Sequence, residues 1–197
     1  MSEITERLRE LEKKIHHDHK RLIVLRRFAD LPGEYLAVLV ERGLLADSTN
    51  LRLRHWIELA DALKDLHSVL RFLRCCQEDI LRVCGSVSSS WEVMSDRWYR
   101  LIQEVESFKN AREGFLQMKE RIRAVTGKLP ENFAGMVEDL TASNPTETLV
   151  LERDSKKVRE AVEKTQAAIE KLEGELGEME NERENLVRRL RDDRHQG

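Results

Sequence analysis

Proline is scarce in this chain: three in 197 residues, Pro32, Pro130 and Pro145, each at a junction between apolar-periodic stretches. With so few breaks, long helices can run uninterrupted. Aromatic residues make up only 5% of the chain and apolar residues 40%, which is lean for a wide globular core. No run approaches the ~20 apolar residues that cross a bilayer, and the start MSEITERLRELEKK has no apolar leader. A cytoplasmic chain without integral membrane insertion is expected. The three cysteines, Cys75, Cys76 and Cys84, are odd in number and two are adjacent, which argues against a disulfide framework and predicts reduced core residues. Charge of one sign is missing too. Lys plus Arg number 34 against 37 Asp plus Glu, a net −3, so bulk charge gives no support for a nucleic-acid partner.

What the sequence does have is heptads. Val158, Val162, Thr165, Ile169, Leu172, Leu176, Met179, Arg183, Leu186 and Leu190 alternate four-then-three spacings, a seam that one helix cannot shield from water. The seam must face a helix of this chain or of a partner. Its apolar members, Val158, Val162, Ile169, Leu172, Leu176, Met179, Leu186 and Leu190, are the candidate partner-binding residues. Glu175, Glu182 and Arg189 flank it on one side and Arg159, Glu173 and Glu180 on the other, so the acidic middle calls for a partner helix rich in Lys or Arg.

Three long helices and two short ones precede it. The first, about Ser2 to Ala29, carries Ile4, Leu8, Leu11, Ile15, Leu22 and Leu25 in heptad phase, with Asp18 at one seam position. After Asp30-Leu31-Pro32-Gly33, a short amphipathic segment from Glu34 to Leu45 should fold back on a neighbour. Asp47-Ser48-Thr49-Asn50 caps a second long helix from Leu51 to Cys84, with Trp56, Leu59, Leu63, Leu66, Leu70, Leu73, Gln77, Ile80 and Cys84 in its seam. Gly85 and Ser88-Ser89-Ser90, with Glu92 in capping-box position, predict a tight reversal into a third helix ending near Val125. That helix should bury Trp91, Met94, Trp98, Leu101, Val105, Phe108, Phe115 and Ile122, with Arg112 and Lys119 as polar seam members. A short helix with Phe133, Met136, Val137 and Leu140 follows. Asn144-Pro145-Thr146-Glu147 then starts a last helix reaching Arg194, with a hinge placed before Leu149.

The expected architecture is all-α: an elongated antiparallel helical bundle over residues 1–143 with a long C-terminal coiled-coil helix over 144–197. The spacing leaves open whether that helix packs on the body or protrudes.

Chemistry finds little to hold. His16-His17-Asp18-His19 is the densest set of metal-type ligands, but His16 and His19 supply only two corners of a site, so the cluster reads as solvated surface. Cys75 and Cys76 point about 100° apart on a helix and form no Cys-x-x-Cys pair. The tryptophans Trp56, Trp91 and Trp98 share seam register with aliphatic residues and read as core anchors. Phosphate loops, His-Glu-x-x-His and nucleophile elbows are absent, so no enzyme activity, cofactor or metal is expected.

Two stretches carry family resemblances. Trp91-Glu92-Val93-Met94-Ser95-Asp96-Arg97-Trp98-Tyr99-Arg100-Leu101 resembles the helices of spectrin-type three-helix repeats, in which a seam Trp is followed three residues later by Leu. That resemblance implies a tethering bundle, although no second copy of the unit appears. Gln77 within the apolar run from Leu59 to Cys84 is similar to the polar central layer of membrane-fusion bundles. The expected role is a non-catalytic coiled-coil scaffold or adaptor that pairs with a coiled-coil protein or with itself as a homodimer. The alternatives are a membrane-trafficking or tethering module, with Lys13, Lys14, Lys20, Arg21, Arg26 and Arg27 as its basic face, or, as the spectrin-type resemblance implies, a cytoskeleton-linked bundle.

Overall fold

The computed structural model describes residues 3–46, 52–85, 96–140 and 155–191 in full, and 91–95 and 192–195 through their backbone. The caps expected at Asp47–Asn50, Ser88–Ser90 and Asn144–Glu147 and the hinge before Leu149 lie outside the described residues. The chain is all-α, with no strand among the described residues: α1 (Glu3–Ala29), α2 (Gly33–Glu41), α3 (Leu53–Gly85), α4 (Trp91–Thr126), a 3-10 turn (Glu131–Phe133), α5 (Met136–Leu140) and α6 (Ser155–His195). It divides into two compact units, Met1–Ile57 with Asp154–Gly197, and Glu58–Arg153. The C-terminal helix groups with the N-terminal one, along which it packs.

In the first unit α6 packs along α1 and α2. The ion pairs Arg7–Glu182 at 3.0 Å, His19–Glu180 at 3.2 Å and Arg26–Glu173 at 2.7 Å run in opposite chain directions, so α1 and α6 are antiparallel. These rim pairs bracket a register that sets Ile15 level with Met179, Leu22 with Leu172 and Leu25 with Ile169, and all six residues are buried. Exposed pairs of this kind each contribute about 0–1 kcal/mol, so burial of the seam supplies the stability and the charges choose the orientation.

The helix pair broadens where α2 joins it. Tyr35, Leu36, Ala37, Val38 and Leu39 are all buried, and burial pushes the Tyr35 hydroxyl well above its ordinary pKa. α6 meets them with small residues, Ala161 and Thr165, and the Thr165 hydroxyl donates to the Ala161 carbonyl at 2.8 Å, which satisfies it inside the core. Gly33 admits the closest approach: a Cβ placed there would stand 2.6 Å from Val158 Cγ1. α2 ends in a Schellman motif, with Gly43 in the left-handed region at φ 90°, the Leu44 N–H donating to the Leu39 carbonyl and the Gly43 N–H to the Val40 carbonyl. Phe28 and Trp56 close this end of the unit edge to face, ring centroids 6.0 Å apart.

In the second unit α3 and α4 form an antiparallel hairpin, shown by the 2.9 Å Arg121–Asp65 pair near its base and by Glu104 lying close enough to Cys76 to act on its thiol. The base is well filled: Leu59, Leu63, Leu66 and Leu73 from α3 and Phe115, Ile122 and Val125 from α4 are buried. The segment after α4 adds Phe133, Met136, Val137 and Leu140, and Gly135, left-handed at φ 70°, turns the chain from the 3-10 turn into α5. Arg123 ties α5 to α4 by donating to Glu138 Oε1 from Nε at 3.0 Å and Nη2 at 2.7 Å, and it also pairs with Glu120. Gly85 ends α3 without taking the left-handed conformation that commonly closes a helix.

Candidate helix-pairing surfaces

The C-terminal seam is occupied within the chain. Ile169, Leu172, Leu176 and Met179 are buried in the first unit, Val158 rests against Gly33, and Leu186 and Leu190 are half-buried. Ala161 takes the seam position assigned to Val162, which stands 45% exposed. Heptad spacing requires a partner helix without saying whose. The basic partner that the acidic flanks call for is α1, whose Arg7, His19 and Arg26 reach Glu182, Glu180 and Glu173. Part of the basic face proposed for a membrane surface is thereby engaged, since Arg26 pairs with Glu173 and Arg21 Nη2 donates to the Leu45 carbonyl at 2.7 Å.

Asp18 stands at its expected seam position, 5% exposed, with no hydrogen-bond or ion-pair partner among the described residues. The neighbouring histidines form no metal cluster among the described residues. Cys76 is a core cysteine, its thiol pushed up by burial and then by Glu104 and Asp79, whereas Cys75 and Cys84 are exposed, against the expectation that all three are core. Of the other polar seam candidates, Gln77 and Arg183 are half-buried and Arg112 is exposed.

The tryptophans separate. Trp56 is a core anchor at 3% exposure, while Trp98 is 66% exposed and so does not fill the seam position expected of it; the Trp91 side chain lies outside the described residues. The cause is a one-residue error of phase. The row of α4 facing α3 is Arg97, Leu101, Glu104, Phe108, Ala111, Phe115, Met118, Ile122 and Val125, again with four-then-three spacing. Trp98, Ile102 and Val105 form a second row about 120° around the helix. Their neighbour Tyr99 is exposed as well. The inner row carries two charged residues, Arg97 and Glu104, in the half of the hairpin away from α5. That substitution of charge for bulk leaves no side chain fully buried from Gln77 to Gly85 of α3 or from Asp96 to Asn110 of α4.

Leu81, 63% exposed, completes the patch. Helical phase and the antiparallel pairing set it on the same face of the hairpin as Trp98 and Val105, level with the turn from Trp98 to Ile102, while exposed Phe72 falls on the opposite face. Fractional exposures of this size on Leu81, Trp98, Ile102 and Val105 leave on the order of 500 Å² of apolar side chain in water, at the upper end for a monomer and typical of interaction sites. Ile102 and Leu81 were missed in the sequence as surface residues. The available signal was the width of the apolar pattern in α4, where Trp98 with Leu101 and Val105 with Phe108 occupy two rows rather than one. Among the described residues no helix is long and apolar enough to cross a membrane. No protein family model, curated protein or solved structure matches the chain.

Proposed function

We propose that the protein is a non-catalytic, cytoplasmic scaffold or adaptor subunit that assembles a complex by helix pairing, and that its pairing surface is the half of the α3–α4 hairpin away from α5. The observation that supports this reading is the row Trp98, Ile102 and Val105 with Leu81 beside it, an apolar stripe at helical spacing that the chain leaves in water. The C-terminal seam is less available for a partner, since α6 packs along α1 and Ile169, Leu172, Leu176 and Met179 are buried. A partner helix laid along the row would gain its affinity from Trp98, since aromatic anchors dominate such interfaces, and its selectivity from charges such as Glu106 beside the row and Lys109 at its end. The test is affinity purification of the full chain from the cells that make it, beside the Trp98→Asp/Val105→Asp variant. The variant should keep its helical circular dichroism and lose the protein that the wild type retains. Retention by the folded double variant, or loss through Val162→Asp instead, overturns the assignment.

A further inference from the structure

The geometry of the row bears on which helix could cover this face. Ile102 sits near its middle, Trp98 one turn before it and Val105 one turn after it. When a helix of this pattern is laid antiparallel on a copy of itself with Ile102 at the two-fold axis, the largest side chain of each copy meets the smallest of the other. Trp98 lies over Val105 of the second copy, and Val105 under its Trp98. A residue on the axis meets itself, so a charge there would repel its own image, and the axis position here is apolar. The area agrees: a patch on the order of 500 Å² mirrored on a second copy buries on the order of 1,000 Å² in total, the scale at which an interface becomes specific. The fold agrees as well. A two-helix layer cannot close the seam between α3 and α4 from above, whereas two such layers face to face make a four-helix bundle, the usual solution for helices with apolar faces wider than one seam.

We propose that two copies of this chain associate through the Leu81, Trp98, Ile102 and Val105 face, with α4 antiparallel to α4 of the second copy about an axis near Ile102. This rests on the reading of that face as a helix-pairing surface and names its occupant. The inner row gains from the same step: Leu101 and Phe108, half-buried in a single chain, lose their remaining water when the face is covered.

Sedimentation velocity and light scattering on the full-length chain, from micromolar to near-millimolar concentration, should show a reversible dimer. Ile102→Asp, which places a carboxylate against its own image, should give a monomer with unchanged helical circular dichroism, because the side chain is half in water in the single chain. The register has its own readout. In a Cys75→Ser/Cys84→Ser background, Ile102→Cys should form an intermolecular disulfide with itself under mild oxidation, and Phe72→Cys on the opposite face should not. A wild-type chain that stays monomeric throughout, a dimer that survives Ile102→Asp, or crosslinking that favours Phe72→Cys overturns the proposal. If the chain is monomeric and still retains a different protein that Trp98→Asp/Val105→Asp loses, self-pairing fails while the helix-pairing function stands. If neither self-pairing nor retention depends on the face, both fail.

Discussion

The α1–α6 pair and the α3–α4 hairpin are both antiparallel and both written in heptads, yet one closes its seam and the other leaves apolar bulk in water. In α1 and α6 most of the apolar residues share one row, with Ile23, Val24 and Val162 off it, polar interruptions are few, and a third helix, α2, covers part of the side that two helices leave open. In the half of the hairpin away from α5, the inner row spends two positions on Arg97 and Glu104 while Trp98, Ile102 and Val105 lie one step around the helix. The lesson is that the spacing of apolar residues says a partner exists, and their distribution between rows says whether the chain supplies it.

The sharpest way to break the comparison is to remove large residues from both regions. Phe28 is fully buried against Trp56, so Phe28→Ala should cost about 3–5 kcal/mol; Leu172→Ala, one seam layer of the α1–α6 pair, should cost about 2–5 kcal/mol. Trp98→Ala, measured in dilute monomeric protein, should stay within about 0.5 kcal/mol of the wild type, as surface changes do. Chemical denaturation of the three variants checks it. A large loss at Trp98 in monomeric protein means that the exposed row is covered after all.

Much of this was legible in advance, and the reasons for what was not are specific. The all-α class, the polar seam position Asp18 and the need of α6 for a basic partner follow from heptad phase and flanking charge, whereas α2 stops at Glu41 rather than at the expected Leu45. The identity of that partner as α1 does not, because a seam looks the same whether its complement lies within the chain or on another molecule. Trp98 was phased by its aromatic bulk, which outweighs the charges of Arg97 and Glu104 in any apolar count, although those two positions continue the row of Phe108, Phe115 and Ile122. The left-handed turns at Gly43 and Gly135 were equally hidden, since the spacing that marks a helix does not mark the residue that stops it.

Asp18 offers a way to sharpen the comparison from the closed side. Asp18 is 5% exposed in a layer that the register sets level with Leu176, with no hydrogen-bond or ion-pair partner among the described residues, and a polar group held in an apolar seam costs about 1 kcal/mol relative to an apolar one. Asp18→Leu should therefore stabilise the first unit by an amount of that order, and Asp18→Asn by less. The thermal midpoint of the full chain should rise in that order. If Asp18→Leu instead destabilises, the carboxylate is hydrogen-bonded in solution, and the layer is set by a polar contact rather than in spite of one.

The smallest expected effect lies at the base of the hairpin, where charge rather than bulk joins α5 to α4. Hydrogen bonds from Arg123 hold the Glu138 carboxyl below its ordinary value of 4.5, with Arg123 and Lys119 adding Coulombic attraction. Because the folded value is the lower one, the unfolded chain binds this proton first as the pH falls. The contribution is therefore complete at neutral pH and disappears only as the pH drops from about the ordinary value through the depressed one. Both partners are about half exposed, so solvent screens the pair and the effect on global stability is slight. Hydrogen exchange is the suitable probe. Amides of Met136–Leu140 should lose protection below the ordinary carboxylate range faster than those around Phe115 and Ile122, and Glu138→Gln should remove the difference by weakening the segment at every pH. Protection of α5 that is independent of acid in the wild type means that Phe133, Met136 and Leu140 hold the segment without the charge.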